Sequence, residues 1–181
     1  MDELRTRSLS FHDTERLSEA FSAIGWSKPA AVFHRYLEEE GRGARWTRVA
    51  EWNGEPAGYV TIAWEPADPE FARRGIPEIM DLNVLPRFRN RGIGSALIGE
   101  AELEVSKRSS AVGIRVGLHS GYGAAQRLYV QRGYVPDGAG VVVSGLAPAE
   151  GSEIRLDDEA TLRMIKRFPA LPPPSPRSAA F

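Results

Sequence analysis

The segment Asp81–Ser95, DLNVLPRFRNRGIGS, constrains this chain more than any other. Glu78–Leu85 (EIMDLNVL) reads as a buried strand closed by Pro86. It passes through Arg89-Asn90-Arg91-Gly92-Ile93-Gly94 directly into an amphipathic helix running to about Arg108. Gly94, Leu97, Ile98, Ala101 and Val105 form the apolar stripe of that helix. The first turn of a helix leaves backbone N–H groups without intrahelical acceptors, and the positive dipole end lies there too. Together they form a site for phosphate. Glycines at 92 and 94 let a phosphate approach the backbone without a Cβ in the way, and Arg89 and Arg91 add positive charge.

Spacing separates the known phosphate-binding turns. A P-loop needs GxxxxGK followed by Ser or Thr, and no lysine follows Gly94. A dinucleotide fingerprint needs GxGxxG, but position 97 is Leu and the third glycine falls at 99. The pattern Arg/Gln-x-x-Gly-x-Gly/Ala is met in full by Arg89, Gly92 and Gly94. About forty residues later comes Leu128-Tyr129-Val130-Gln131-Arg132-Gly133-Tyr134. The two motifs, in this order and separation, resemble the acetyl-CoA motif and the second signature of the GNAT superfamily of N-acetyltransferases. The stretch Tyr122–Gly140 is similar to a bacterial, single-domain branch.

The remaining elements fit one α/β domain over residues 1–168. Residues 3–10 alternate as a short strand, and Asp13 is placed to cap a helix that Gly25 ends. A second helix covers Ala30–Glu40, with Val32, Phe33, Tyr36 and Leu37 on one face. Strands at 46–52 and 57–64 flank Asn53-Gly54, a strong hairpin signal. Glu65–Ile76, with two prolines and a glycine, reads as a loop. Val112–Leu118 is a strand, 123–132 a helix, and Val141–Ser144 and Thr161–Phe168 are the last strands. The tail Pro169–Phe181 is proline- and serine-rich, as extended or disordered segments are.

Composition narrows the partners. With a net charge of -1 and pI near 6.3, the chain lacks the basic excess of a general nucleic-acid binder. It has no cysteine, which excludes disulfides, thiolate metal sites and a cysteine nucleophile. No run approaches the roughly 20 apolar residues of a membrane helix, and the N-terminus has no signal-peptide core. The expectation is a cytoplasmic protein that needs no metal.

The resemblance implies a mixed, mostly antiparallel central sheet with splayed central strands, flanked by helices. It implies acetyl-CoA as cosubstrate and a primary amine of a small molecule or peptide as acceptor. Pantetheine would pair with the backbone of Leu82, Asn83 and Val84, and pyrophosphate would sit on Arg89, Asn90, Arg91, Gly92, Ile93, Gly94 and Ser95. Tyr129 would be the general acid at the thioester sulfur, and Glu78 the general base, directly or through water. Asp81 and His119 are rivals for the base. Tyr134 is expected in the core, and Tyr122 stands where many relatives have a polar cofactor contact. Phe33, Tyr36, Trp64, Glu65, Phe71, Arg73 and Arg74 occupy regions where the superfamily sets acceptor specificity. Relatives are often dimers, so a homodimer is compatible. A catalytically silent acyl-CoA-binding module is the alternative; it would keep Arg89–Gly94 without depending on Glu78 or Tyr129.

Overall fold

In the computed structural model, which describes residues 3–169, the elements follow in the order β1 (Leu4–Ser8), α1 (Asp13–Ser22), α2 (Ala30–Gly41), β2 (Arg45–Trp52), β3 (Glu55–Ala63), α3 (Pro69–Arg74), β4 (Glu78–Val84), α4 (Ile93–Ser106), β5 (Ala111–Gly117), α5 (Gly123–Gln131), β6 (Val135–Val143) and β7 (Ala160–Arg167). The strands form one seven-stranded sheet in the order β1-β2-β3-β4-β5-β7-β6. Only β4 and β5 run parallel; every other neighbouring pair is antiparallel. The expected mixed, mostly antiparallel sheet is present. The proline-rich tail beyond Pro169 lies outside the described residues.

Side-chain alternation along β1 sorts the helices onto the two faces. Thr6 donates to Glu100 of α4, whereas its neighbour Arg7 points the other way and grips Asp13 of α1. On the α1–α2 face, Tyr59 of β3 is fully buried and meets Phe21 and Phe33 edge-on at 5.5 and 5.2 Å. On the other face, the α4 stripe of Leu97, Ile98, Ala101 and Val105 is buried without remainder. Each of these leucines and isoleucines contributes roughly 1.5–3 kcal/mol of burial. Asn53 and Gly54 both take positive φ, as the hairpin between β2 and β3 requires.

Three expectations are corrected. Asp13 is the first helical residue rather than the cap; its carboxylate turns back to accept from Ser10 and Arg7. The segment expected as a loop contains α3. The residues that looked like breakers are its ends: Asp68 caps the Glu70 and Phe71 amides, Pro69 opens the first turn, and Gly75 closes it in the left-handed region. The strand expected at Val141–Ser144 is the end of a longer β6, whose ladder jumps from Pro136 to Val141. The Asp-Gly-Ala-Gly stretch between them bulges out, so it carries no alternating pattern.

Two ionic clamps fix the loops to the sheet. Asp68, its side chain fully buried, accepts from Arg163 Nε of β7 at 2.8 and 2.9 Å, while Arg163 Nη2 donates to Gly145 O. This ties α3 to the β6–β7 connection. At the sheet edge, burial works against the Asp13 charge, but hydrogen bonds from Arg7 and Ser10 outweigh it and hold this carboxyl at about 2.

Asp68→Ala should lower unfolding free energy by about 3–5 kcal/mol in urea titration, because Arg163 is left buried and unpaired. The Asp13 carboxyl titrates in the folded state below its ordinary value of 3.8. Its contribution of about 2 kcal/mol is therefore complete above roughly pH 4 and disappears as pH falls toward 2. Unfolding curves for Asp13→Asn should show a weaker loss of stability across that window than the parent chain.

Candidate active site

The site begins where two parallel strands part. β4 and β5 share only the pairs Glu78↔Gly113 and Ile79↔Ile114. At Asp81 the backbone turns to φ 50, and the β3–β4 register slips between Tyr59 and Thr61. This bulge bends β4. Beyond it, Asn83 and Val84 stay paired with Tyr59 and Gly58 of β3 but no longer pair with β5. Residues Met80–Val84 are half-buried. One edge of Leu82–Val84 thus offers backbone N–H and C=O groups to an extended ligand, as an open sheet edge does to a strand.

The glycine turn follows within a few residues. Asn90 and Gly92 take φ 60 and 78, and Gly92 forms the N-cap of α4. The first intrahelical bond closes from Ala96 N to Gly92 O, so the amides of Ile93, Gly94 and Ser95 precede the ladder. A Cβ built on Gly94 would lie 3.8 Å from Val84 and 3.9 Å from Leu128, and one on Gly92 would meet nothing within 4 Å. Packing against the protein therefore does not demand glycine at 94. The missing side chains leave the free amides of the first turn open to approach, which suits a phosphate. Arg89 donates from Nε to Val84 O at 3.3 Å, and its guanidinium lies 5.6 Å from the Trp26 ring. Arg91 stands over Trp52 at 4.9 Å. Both cations sit beside the turn, and the residues fit an acyl-CoA.

The two carboxylates of β4 have different surroundings. Glu78 is 2% exposed; its Oε1 accepts from Arg115 Nε at 2.8 Å, and its Oε2 has no hydrogen-bond partner among the described residues. Burial pushes its carboxyl up, and Arg115 only partly offsets this. Asp81, at the bulge, accepts from Tyr36 OH at 2.5 Å and from Lys28 Nζ at 2.9 Å. Across the gap, Tyr122 lies flat on Gly117, where a Cβ would come within 2.4 Å of its ring. Burial and a hydrogen bond to Asp158 push the Tyr122 phenol up to about 12. His119, considered as a base, has both ring nitrogens engaged: Nε2 with Asp158 at 3.0 Å and Nδ1 with Gly121 N at 3.1 Å.

Tyr129 is 6% exposed on α5 and packs on Tyr134 with ring centroids 5.8 Å apart. Burial raises its phenol, with a smaller contribution from Tyr122. Tyr134 is core, as expected. Of the residues assigned to the acceptor region, Phe33 and Phe71 are fully buried and Tyr36 is turned to Asp81. Arg73 and Arg74 pair with Glu70 on the surface of α3. Sequence reading missed Lys28, Arg115 and Asp158, which come from three separate connections and strands and carry no local motif.

Comparisons with known proteins agree on the fold and family. The model of the acetyltransferase (GNAT) family matches residues 10–134. No curated protein sequence matches the chain. Among solved structures, the ribosomal-protein-alanine N-acetyltransferase from Brucella melitensis has 21% identity and a TM-score of 0.68, with 91% of this chain and 99% of that one covered. The ribosomal-protein-S18-alanine N-acetyltransferase from Escherichia coli gives 16% identity and a TM-score of 0.67 over 95% and 98%. The protein yncA from Salmonella typhimurium, solved with its cofactor acetyl-CoA, gives 16% identity and 0.68 over 92% and 94%. At these identities the likeness establishes the fold.

Gly94→Ala separates packing from ligand binding. Stability should stay level or rise by about 0.5–1 kcal/mol, since alanine favours helix over glycine. Acetyl-CoA affinity measured by calorimetry should fall at least about tenfold, or roughly 1.4 kcal/mol, as a methyl group enters the phosphate cradle.

Proposed function

The chain belongs to the acetyltransferase (GNAT) family, with acetyl-CoA as its acyl donor, and on that premise we propose that it acetylates a primary amine of a small molecule or peptide. The observation that carries this reading is the parting of β4 from β5 directly before the glycine turn. In this reading Leu82, Asn83 and Val84 hold the donor's pantetheine arm by their backbone edge, and Arg89–Ser95 hold its pyrophosphate. Bound there, acetyl-CoA supplies a thioester carbonyl as electrophile and a thiol as leaving group.

The acceptor must arrive as an ammonium and react as an amine. A peptide α-amine titrates near about 8 and a lysine amine near about 10.4, so a proton has to be removed. We assign that task to Glu78, acting through water. Its burial favours proton uptake, and its Oε2 is the oxygen without a partner among the described residues. Asp81, half-exposed at the bulge and already holding one ammonium, orients the acceptor's charge before transfer. Tyr129, whose raised phenol keeps its proton, donates to the leaving sulfur. Among the described residues no helix is long and apolar enough to cross a membrane.

The test follows free thiol release from acetyl-CoA with a thiol reagent over a panel of amines, polyamines and peptides, N-terminal-alanine peptides included. The chain has no cysteine, so it contributes no background. Release should depend on one amine class, and Tyr129→Phe should lower kcat about a hundredfold while leaving acetyl-CoA affinity unchanged. Tight acetyl-CoA binding with no release for any amine would favour the acyl-CoA-binding module instead.

A further inference from the structure

The connection between α1 and α2 places an amine of the chain itself at the mouth of the gap. Lys28 Nζ lies 2.9 Å from Asp81 Oδ1, at the bulge where β4 leaves β5, and 6.0 Å from the centre of the Tyr59 ring. Hydrogen bonds from His119 and Tyr122 hold the Asp158 carboxyl down, and the charges of His119 and, least, Lys28 add to this. Two residues earlier, Trp26 stacks against Arg89 of the glycine turn. The connection is therefore fastened to the glycine turn through Trp26 and to the bulge through the Lys28 amine itself. Lys28 is a quarter exposed.

The other two lysines have different settings. Lys107 is 59% exposed and paired with Glu104 on the back of α4; Lys166 pairs with the buried Glu102. Neither stands near the part of β4 that leaves the sheet. Uncatalysed acetylation by acetyl-CoA in solution would favour Lys107, the most exposed of the three.

We propose that Lys28 is an internal acceptor: the protein acetylates its own Lys28 Nζ. The inference rests on the transferase reading above. In the step, the Lys28 ammonium gives one proton to Asp81, which passes it to solvent. The freed lone pair forms the N–C bond to the acetyl carbonyl carbon as the C–S bond breaks, and sulfur leaves with that electron pair. The second proton lost by nitrogen ends on the sulfur. The products are an Lys28 acetamide, CoA thiol and one proton. Acetylation removes the lysine charge, so Asp81 is released from its internal ammonium and can receive that of an external acceptor.

The full chain is incubated with acetyl-CoA and followed by intact mass and peptide mapping. The expected result is a single increment of about 42 Da on Lys28, as one acetyl group adds. Its first-order rate should be unchanged over a tenfold dilution of protein. The increment should vanish in Lys28→Arg, which keeps the charge on Asp81. It should slow at least tenfold in Asp81→Asn, with Tyr36→Phe as the comparison that retains the carboxylate. Modification of Lys107 before Lys28, or a rate that scales with protein concentration, overturns the proposal. So does an unmodified Lys28 in protein that binds acetyl-CoA and acetylates an external amine, an outcome that leaves the transferase reading standing. Failure to bind acetyl-CoA at all removes both.

Discussion

The candidate site depends on a parallel strand pair that is abandoned after two residue pairs. Breaking a ladder leaves backbone donors and acceptors without partners, which a protein tolerates only where solvent or a ligand replaces them. Here the break is enforced at Asp81. A left-handed residue in mid-strand shifts the register against β3, and its carboxylate is then held by Tyr36 and Lys28 from α2 and the connection before it. The strain of a non-glycine residue at positive φ, of order 1–3 kcal/mol, persists because these contacts and the β3 ladder on both sides fix it.

Ion pairs and close packing tie together the elements around the gap. The Asp68–Arg163 pair ties the start of α3 to β7, and Arg115 extends the same charged cluster to Glu78. Tyr122 is seated on Gly117 and bonded to Asp158, which fixes the far wall. Below, the apolar stripe of α4 anchors the helix that starts at the glycine turn. Asp68 is the hinge of this cluster: its removal leaves the buried Arg163 without a counter-charge, whereas Arg115 keeps Glu78.

The paired carboxylates of β4 illustrate how three residues of separation produce two environments. Glu78 lies before the strands part, buried against Arg115, and its carboxyl is raised by burial. Asp81 lies after, at the opening, with an ammonium and a phenol in contact. In the proposed reaction one takes a proton and the other holds a charge, a division that follows from burial and from the partners each carboxylate meets.

Much of the fold was legible in the sequence, because local patterns determine it. The strand–glycine–helix passage, the α4 stripe, the Asn53-Gly54 hairpin and the LYVQRGY segment each declare themselves through periodicity, φ requirements or motif spacing. The short α3 could also have been read, since Asp68-Pro69 and Gly75 are a cap, a first turn and a stop, but its few residues show no stripe. What the sequence could not contain is the company that each side chain keeps. Glu78 and Arg115 are 37 residues apart, Lys28 and Asp81 are 53 apart, and Tyr122 and Asp158 are 36 apart. The bulge at Asp81 leaves no trace in EIMDLNVL, because a strand's alternation says which residues are apolar and not where its backbone turns. The sequence by itself thus determined the elements and the glycine turn, through interactions between near neighbours. Tertiary structure alone decided where the sheet opens and which charges meet there, because those contacts exist only once distant segments are packed together.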